Sequence, residues 1–470
     1  MGHRSPARRR LTRALPVLAL LPLAAVLTAC DPAFSTLQRP IDPVVATGAQ
    51  LPLLVGAAPG DIVGFKWIKD VGWGQVPVQV DERRDANVGV LYHGAANNVT
   101  IKVYADAGTW SGADPDATFD ADDELAFMAR DAGGLPPSFS EPAGVVPGSG
   151  TDLRITDPTV DKTVGHLYVF RRAAGSGLVP GAGQQYVTYS FSLASGDYKT
   201  TYKYQDGPNP ETSTVSSPTY FKRFSDRWAE EELKITTGGS TGVDILDRHK
   251  ALFAPGYCGR HEDTFDDAEG AFTTNKSGPV RAIRGYIGAN SGPNTMRQHV
   301  FYDQREDVVT DLRVHSIPGI MDFYDYSPAA TGMAYSNSNN PNGVLIDGVP
   351  EAIAGGQPTW EKVDGAQGAL VIGSVLDTDT GVTGTTYWED NKTNPTTQCT
   401  GDADAYGSSG PWLNTTIPCT DPGTSCTAHL RATRVLSYVA PGVSVEAAEL
   451  RARQATTPLV FTTQGWAAPS

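Results

Sequence analysis

The chain has 470 residues, 52 acidic against 37 basic side chains for a formal net charge of −15, with 50 Gly and 34 Pro. So acidic a balance excludes nucleic acid as a partner, because phosphate binding needs a basic footprint. Abundant Gly, Pro, Thr, Val and Tyr with almost no helical period point to a mainly β fold of antiparallel β-sandwich domains, and the length to more than one of them.

Residues 1–29 have the make-up of a targeting segment. Arg4, Arg8, Arg9, Arg10 and Arg13 precede an apolar run from Ala14 to Leu27, and the segment closes on Leu27-Thr28-Ala29-Cys30. That tetrapeptide resembles, at every position, the lipobox of bacterial secretory lipoproteins. The resemblance implies cleavage before Cys30, lipidation of that cysteine, and an extracytoplasmic protein of the cell envelope anchored to the membrane by its lipid. An ordinary signal peptide, or a membrane anchor with a chance cysteine, is the alternative. Cleavage removes five arginines and no acid, so the mature chain is more acidic still, and divalent cations or acidic polymers at a local basic patch suit it better than nucleic acid. No later apolar run approaches bilayer length, so the lipid is the only membrane attachment expected.

Residues 30–40 read as a tether, 41–150 as a small β domain and 151–470 as a large β-sandwich domain, with the Pro/Gly/Ser-rich stretch Pro136–Gly150 as the boundary. The small domain carries Asp114-Pro-Asp-Ala-Thr-Phe-Asp-Ala-Asp-Asp-Glu124. Oxygen ligands at alternate positions, Asp114, Asp116, Thr118, Asp120 and Asp122, are what a tight loop needs to wrap Ca2+. It is not an EF-hand loop, since Phe119 stands where that loop needs Gly and Leu125 where it needs Glu. The competing reading is a solvated chain of Asx turns before the strand Leu125–Ala129. The run Glu262–Glu269 after His261 is a weaker metal candidate, because its carboxylates lack regular alternation.

Strand-like alternation recurs at Val76–Val80, His166–Phe170, Tyr186–Leu193, Thr200–Tyr204 and Gly343–Ile346. Gly238-Gly-Ser240-Thr-Gly242 satisfies GxSxG, but a strand-like Val243–Leu246 follows where a nucleophile elbow needs a helix. HExxH, Walker and Rossmann patterns are absent from the sequence, which removes those zinc peptidases, NTPases and dinucleotide enzymes from the leading candidates.

Ionisable and aromatic residues crowd most tightly in Gly278–Tyr326. Met296–Tyr302 and Val308–His315 alternate, and the polar Asp303-Gln-Arg-Glu-Asp307 between them has hairpin length. With Tyr302 opposite Val308, Arg297 faces Arg313 and His299 faces Asp311. Arg297, His299, Asp311, Arg313 and His315 then form one patch, while Val300, Tyr302, Val308, Leu312 and Val314 form a core face. Two guanidinium forks and two imidazoles can hold an acidic group, although antiparallel sheets often keep one wet polar face without a ligand. In an enzyme acting on an acidic polysaccharide by lyase-type proton abstraction, Arg297 and Arg313 would neutralise a uronate and His299, His315 or Tyr324 would move the proton, with Tyr326 alongside.

Trp228, Trp360, Trp388, Trp412 and the Phe323–Tyr326 cluster lie beside polar segments, either to stack sugar rings or to fill a core. Exported cysteines favour disulfides over zinc. Cys258–Cys399 with Cys419–Cys426 is the preferred one of three pairings. One late helix, Val445–Gln454, is expected, capped by Ser444. Together these features point to a lipid-anchored binding or scaffold protein for a carbohydrate or other envelope polymer. The alternative is the enzyme built on the Arg297/His299/Arg313/His315 face.

Overall fold

A computed structural model describes residues 31–91, 99–202, 209–253, 261–265, 269–289, 292–312, 316–393, 404–417 and 429–466. Cys30, Cys258, Arg313, His315, Cys399, Cys419 and Cys426 lie outside these ranges. The described chain is mainly β, with two α-helices, Glu262–Phe265 and Val445–Thr456. Among the described residues no helix is long and apolar enough to cross a membrane.

Strands stack in layers. The largest sheet has nine antiparallel strands in the spatial order Ala271–Ser277, Ala282–Ala289, Gly292–Phe301, Arg305–Leu312, Leu430–Val439, Gly368–Thr378, Trp360–Gly365, Ala334–Asn337 and Asn340–Leu345. One face packs on two four-stranded sheets. The first runs Thr188–Ser190, Ser213–Ser216, Tyr220–Phe224, Glu230–Ile235; the second runs Leu246–Phe253, Ile320–Tyr326, Ala405–Leu413, Thr385–Asn391. Between them lies the main core, with Phe224 and Leu233 from the first, Tyr324 and Tyr326 from the second, and Phe301 and Leu436 from the nine-stranded sheet.

The other face of the nine-stranded sheet is covered as well. At one end Ala126 and Met128 of a three-stranded sheet, Pro43–Thr47, Glu124–Met128 and Gln79–Asp81, pack against Ile283, Val300 and Tyr302. At the other end Ala448 and Ala452 of the late helix pack on Trp360 and Val371. That helix starts where the sequence indicates, Ser444 accepting the Ala447 N–H, and runs to Thr456 before Pro458. The three-stranded sheet then shares a core with a five-stranded one ordered Val460–Trp466, Gly150–Thr156, Val164–Arg171, Ile62–Ile68 and Gly72–Val76.

This last sheet joins strands from both sides of Pro136–Gly150 and takes an edge strand from Val460–Trp466. Strand pairing therefore runs unbroken across the stretch read as a boundary, and residues 32–470 group as one compact unit. The expected tether also lies on the body. Thr36 N donates to Val164 O at 2.8 Å, and the fully buried Arg39 donates to Gln454 O and Thr457 O at 2.7 Å. The strand expected at Val76–Val80 breaks at Pro77, which lacks an N–H for the ladder, and its two halves enter different sheets. Tyr186–Leu193 shortens to Thr188–Ser190, and Tyr202 makes an isolated bridge to Gly270.

Candidate functional site

The hairpin of the sequence reading exists, with a tighter turn. Tyr302 N donates to Arg305 O at 2.7 Å, and Arg305 already belongs to the next strand. His299 thus pairs with Val308 and Arg297 with Thr310, not with Asp311 and Arg313. A slip by an odd number of residues changes face. Asp311 accordingly sits opposite Met296, in an exposed pair with Arg431 at 2.7 Å, and Glu306, read as loop, takes the place beside His299 at 2.8 Å.

Nor is the face open. Because layers cover both sides of the nine-stranded sheet, the side holding Arg297 and His299 is the inside of a sandwich. Both residues are 1% exposed, and Tyr324 and Tyr326 are buried with them. The expected accessible patch is replaced by a buried network with two hubs. At the first, Asp322 accepts from Arg297 Nη2 at 2.9 Å and His249 Nε2 at 2.5 Å, with Arg434 Nη1 at 3.6 Å. Tyr324 stacks on His249 at 4.4 Å and under the Arg434 guanidinium at 4.5 Å. At the second, Lys222 Nζ bridges Glu230 at 2.7 Å and Glu306 at 2.5 Å.

Burial works to raise both hub carboxylates, and their cationic neighbours outweigh it. Arg297 and His249 hold Asp322 far below the usual carboxylate range, and Lys222 and His299 hold Glu306 at about 2. Two carboxylates share the single ammonium, so burial pushes Glu230 up to about 7. Burial lowers His299 to about 4 and His249 to about 3, making each a neutral donor at pH 7. An unfolded chain protonates its histidines near pH 6.5. Between that value and about 4 the unfolded state binds the additional proton, so the histidine contribution to stability is lost as pH falls. Glu230 has the opposite sign, since its contribution is lost as pH rises from 4.5 to about 7. His299→Gln, which keeps an N–H for Glu306, is expected to lose less stability than wild type when thermal unfolding is followed from pH 6.5 to 4. Parallel curves would show that His299 is charged in the fold.

Two groups of side chains have ligand atoms within metal-binding reach of one another among the described residues. In Glu230, His299 and Glu306, the Lys222 ammonium stands where a cation would. In His261, Glu262 and Asp263, Asp263 is held by Arg248 at 2.6 Å and burial raises Glu262 to about 8, which keeps that carboxyl protonated at neutral pH. The acidic loop forms the serial Asx turns that competed with calcium in the sequence reading. Asp114 accepts from Asp116 N, Asp116 from Thr118 N and Oγ1, and Asp120 from Asp122 N, at 2.8–3.1 Å. Asp122 also pairs with Lys102 at 2.6 Å. Phe119, where an EF-hand needs Gly, is fully buried in the core beneath.

Among the described residues, an accessible concavity with aromatic and carboxylate lining lies elsewhere, along the edge strand Thr385–Asn391 and its neighbour Ala405–Leu413. Thr385 pairs with Trp412 and Tyr387 with Gly410. Tyr387 and Trp412 share a face, their rings 6.4 Å apart and nearly perpendicular, with Phe323 packed under Tyr387 at 4.7 Å. Gly410 is required because a Cβ there would lie 2.3 Å from Asp322 O. Trp388 turns inward and stacks on Tyr335 at 4.5 Å, which anchors the edge. The opposite wall is Pro350 and Glu351. Asp390 pins the chain just before them by accepting the N–H groups of Asp347 and Gly348 at 2.8 and 3.0 Å. The result is a groove of about 470 Å³ in which Trp412 and Tyr387 are flanked by Glu351, Glu389 and Asn391. Tyr387 Oη donates to Glu389 at 3.1 Å. Glu351 Oε2 and Trp412 Nε1 have no hydrogen-bond partner among the described residues.

Of the tryptophans singled out in the sequence, Trp228 and Trp360 are core residues at 1% exposure, Trp388 borders the groove with its ring turned inward onto Tyr335, and Trp412 lines the groove. Tyr387, Glu389 and Glu351 were missed. The strand-period run Tyr387-Trp-Glu-Asp-Asn391 was the available signal for the first two. Glu351 arrives on a loop and had none.

No family model matches the chain, and no curated protein does. Among solved structures it is similar to the crystal structure of HI1317, with a TM-score of 0.31 and 6% identity over 53% of this chain and 99% of that one. It is also similar to a "putative aldose 1-epimerase" from Escherichia coli K12, with a TM-score of 0.27 and 11% identity over 54% of this chain and all of that one. Likeness of this degree carries no argument about what the groove binds.

Proposed function

We propose that the chain is a lipid-anchored extracytoplasmic protein, attached through Cys30, that binds a neutral or amino sugar of an envelope or extracellular polymer in the Trp412 groove. The observation that supports this reading is the pairing of an aromatic floor with carboxylate rims. Aromatic faces take the C–H side of a sugar ring, and carboxylates accept its hydroxyl and ammonium hydrogens. A groove of this volume falls within the range of small-ligand sites. Glu351, Glu389 and Asp390 make it acidic, which disfavours uronates and sulfated sugars here. The buried, already paired Arg297 and His299 offer such anions no surface either.

The test is a glycan array probed with the soluble 31–470 form. Retention of neutral or hexosamine-containing glycans is expected. A blank array from folded protein, or retention confined to uronates, refutes the reading.

Calcium at Asp114, Asp116, Thr118, Asp120 and Asp122 belongs to the same proposal. Asp120 and Asp122 crowd one another, and burial with the adjoining Asp122 carboxylate raises Asp120; a divalent cation would relieve this. About 1 mM calcium, a concentration suited to extracellular sites, is expected to raise the melting temperature of the 31–470 form. An unchanged melting curve discards the site.

A further inference from the structure

One guanidinium in the sandwich interior is left unsatisfied by its surroundings. Arg434, on the strand Leu430–Val439, is 2% exposed, yet its Nε and Nη2 have no hydrogen-bond partner among the described residues. Nη1 reaches the Asp322 carbonyl at 3.4 Å, and the approaches to Asp322 Oδ1 at 3.6 Å and Glu361 Oε2 at 3.7 Å are too long for hydrogen bonds. A buried donor without an acceptor is costly enough to call for an explanation.

Arg434 lines a narrow cavity between the nine-stranded sheet and the second four-stranded sheet. Leu312, Ile320, Leu413 and Leu430, at the ends of their strands, form its apolar walls, and Thr310, Asp322 and Arg434 lie two to four residues further in along three of those strands. Its inner end is therefore polar and its outer part greasy. The space open to the centres of water molecules is about 40 Å³, a file of a few waters. So small and largely apolar a space suits a methylene chain better than a hydroxylated sugar ring.

We propose that this cavity binds an unbranched aliphatic carboxylate, its head on the Arg434 guanidinium and its tail between Leu312, Leu413 and Leu430. A guanidinium presents paired N–H donors, the geometry that carboxylate oxygens accept in bidentate fashion, and two of the Arg434 nitrogens have no hydrogen-bond partner among the described residues. Charge agrees with a monoanion. The charged residues of its lining are Arg297, Arg434 and Asp322, two cations to one carboxylate, and Glu361 lies outside the lining. The site is independent of the groove, because on one strand Pro411 and Leu413 line the cavity and Trp412 lines the groove.

Calorimetric titration of the 31–470 form with octanoate, and with octanol as the uncharged probe of equal length, tests this. Octanoate is expected to saturate one site, with octanol weaker by about tenfold or more. Arg434→Gln removes that preference. Because Arg434→Gln disturbs a buried network, Leu376→Trp provides the second variant, filling the cavity from a half-buried position on its wall; it is expected to abolish octanoate binding while glycan retention persists. Absence of saturable octanoate binding to folded wild type, equal binding of octanol, or undiminished octanoate binding by folded Leu376→Trp overturns the proposal.

Discussion

Asp322→Ala is expected to remove about 3–5 kcal/mol of folding stability, the usual cost of stripping one partner from a buried ion pair. Asp322 is the carboxylate on which Arg297 and His249 converge at 2.9 and 2.5 Å, with Arg434 close by, and the two arginines are 1% and 2% exposed. Its loss leaves two guanidinium groups in a low-dielectric interior without their anion. Against total stabilities of about 5–15 kcal/mol, that is about a fifth or more of what holds a typical domain folded. Asp311→Ala is the matched control from the same region of the chain. Its partner Arg431 is half exposed, and an exposed pair contributes about 0–1 kcal/mol. Urea unfolding of the two variants beside wild type reads the difference directly. Similar midpoints for Asp322→Ala and Asp311→Ala would show that the network is hydrated and that the interior is not the sealed, charge-matched layer described above.

The same pair of aspartates shows where sequence reasoning reached its limit. Alternation located the strands around Val300 and Val308 because a period of two is a property of the strand itself, and Ser444 located the helix because a cap is local. Register is not local. Asp303-Gln-Arg-Glu-Asp307 reads as a polar loop, yet Arg305, Glu306 and Asp307 are strand residues whose charges are met by one another and by Lys222, His299 and Asp42, most of them distant in sequence. A charged residue looks like surface until its partner is known. Arg297 and His299 read as open for that reason, and because nothing in their own strand announces the second layer, the four-stranded sheets that cover the face they share with Phe301. The groove was half legible. Trp388 and Trp412 stood out as candidates, but the wall opposite them depends on Asp390 capturing the backbone of Asp347 and Gly348, a contact between segments more than forty residues apart.

Trp412→Ala is expected to weaken glycan binding by at least about tenfold, since truncating a central aromatic anchor commonly costs about 2 kcal/mol or more. The expectation is specific to this tryptophan. Trp360 is 1% exposed beneath the late helix, so the same truncation there opens a core cavity and costs about 3–5 kcal/mol of stability instead. Trp412 is only partly buried and packs beside Tyr387, so Trp412→Ala should stay folded, and Trp412→Phe, which keeps an aromatic face, should recover part of the affinity. Glu351→Gln separates the two halves of the recognition. It leaves the aromatic floor intact and removes one negative charge from the rim, so affinity for neutral glycans should change little while amino sugars lose their advantage. Surface-immobilised glycans retained on the array supply the ligand, and thermal unfolding of each variant supplies the folding control. Undiminished binding by folded Trp412→Ala would move the sugar out of this groove, because no route to an aromatic floor there avoids that ring.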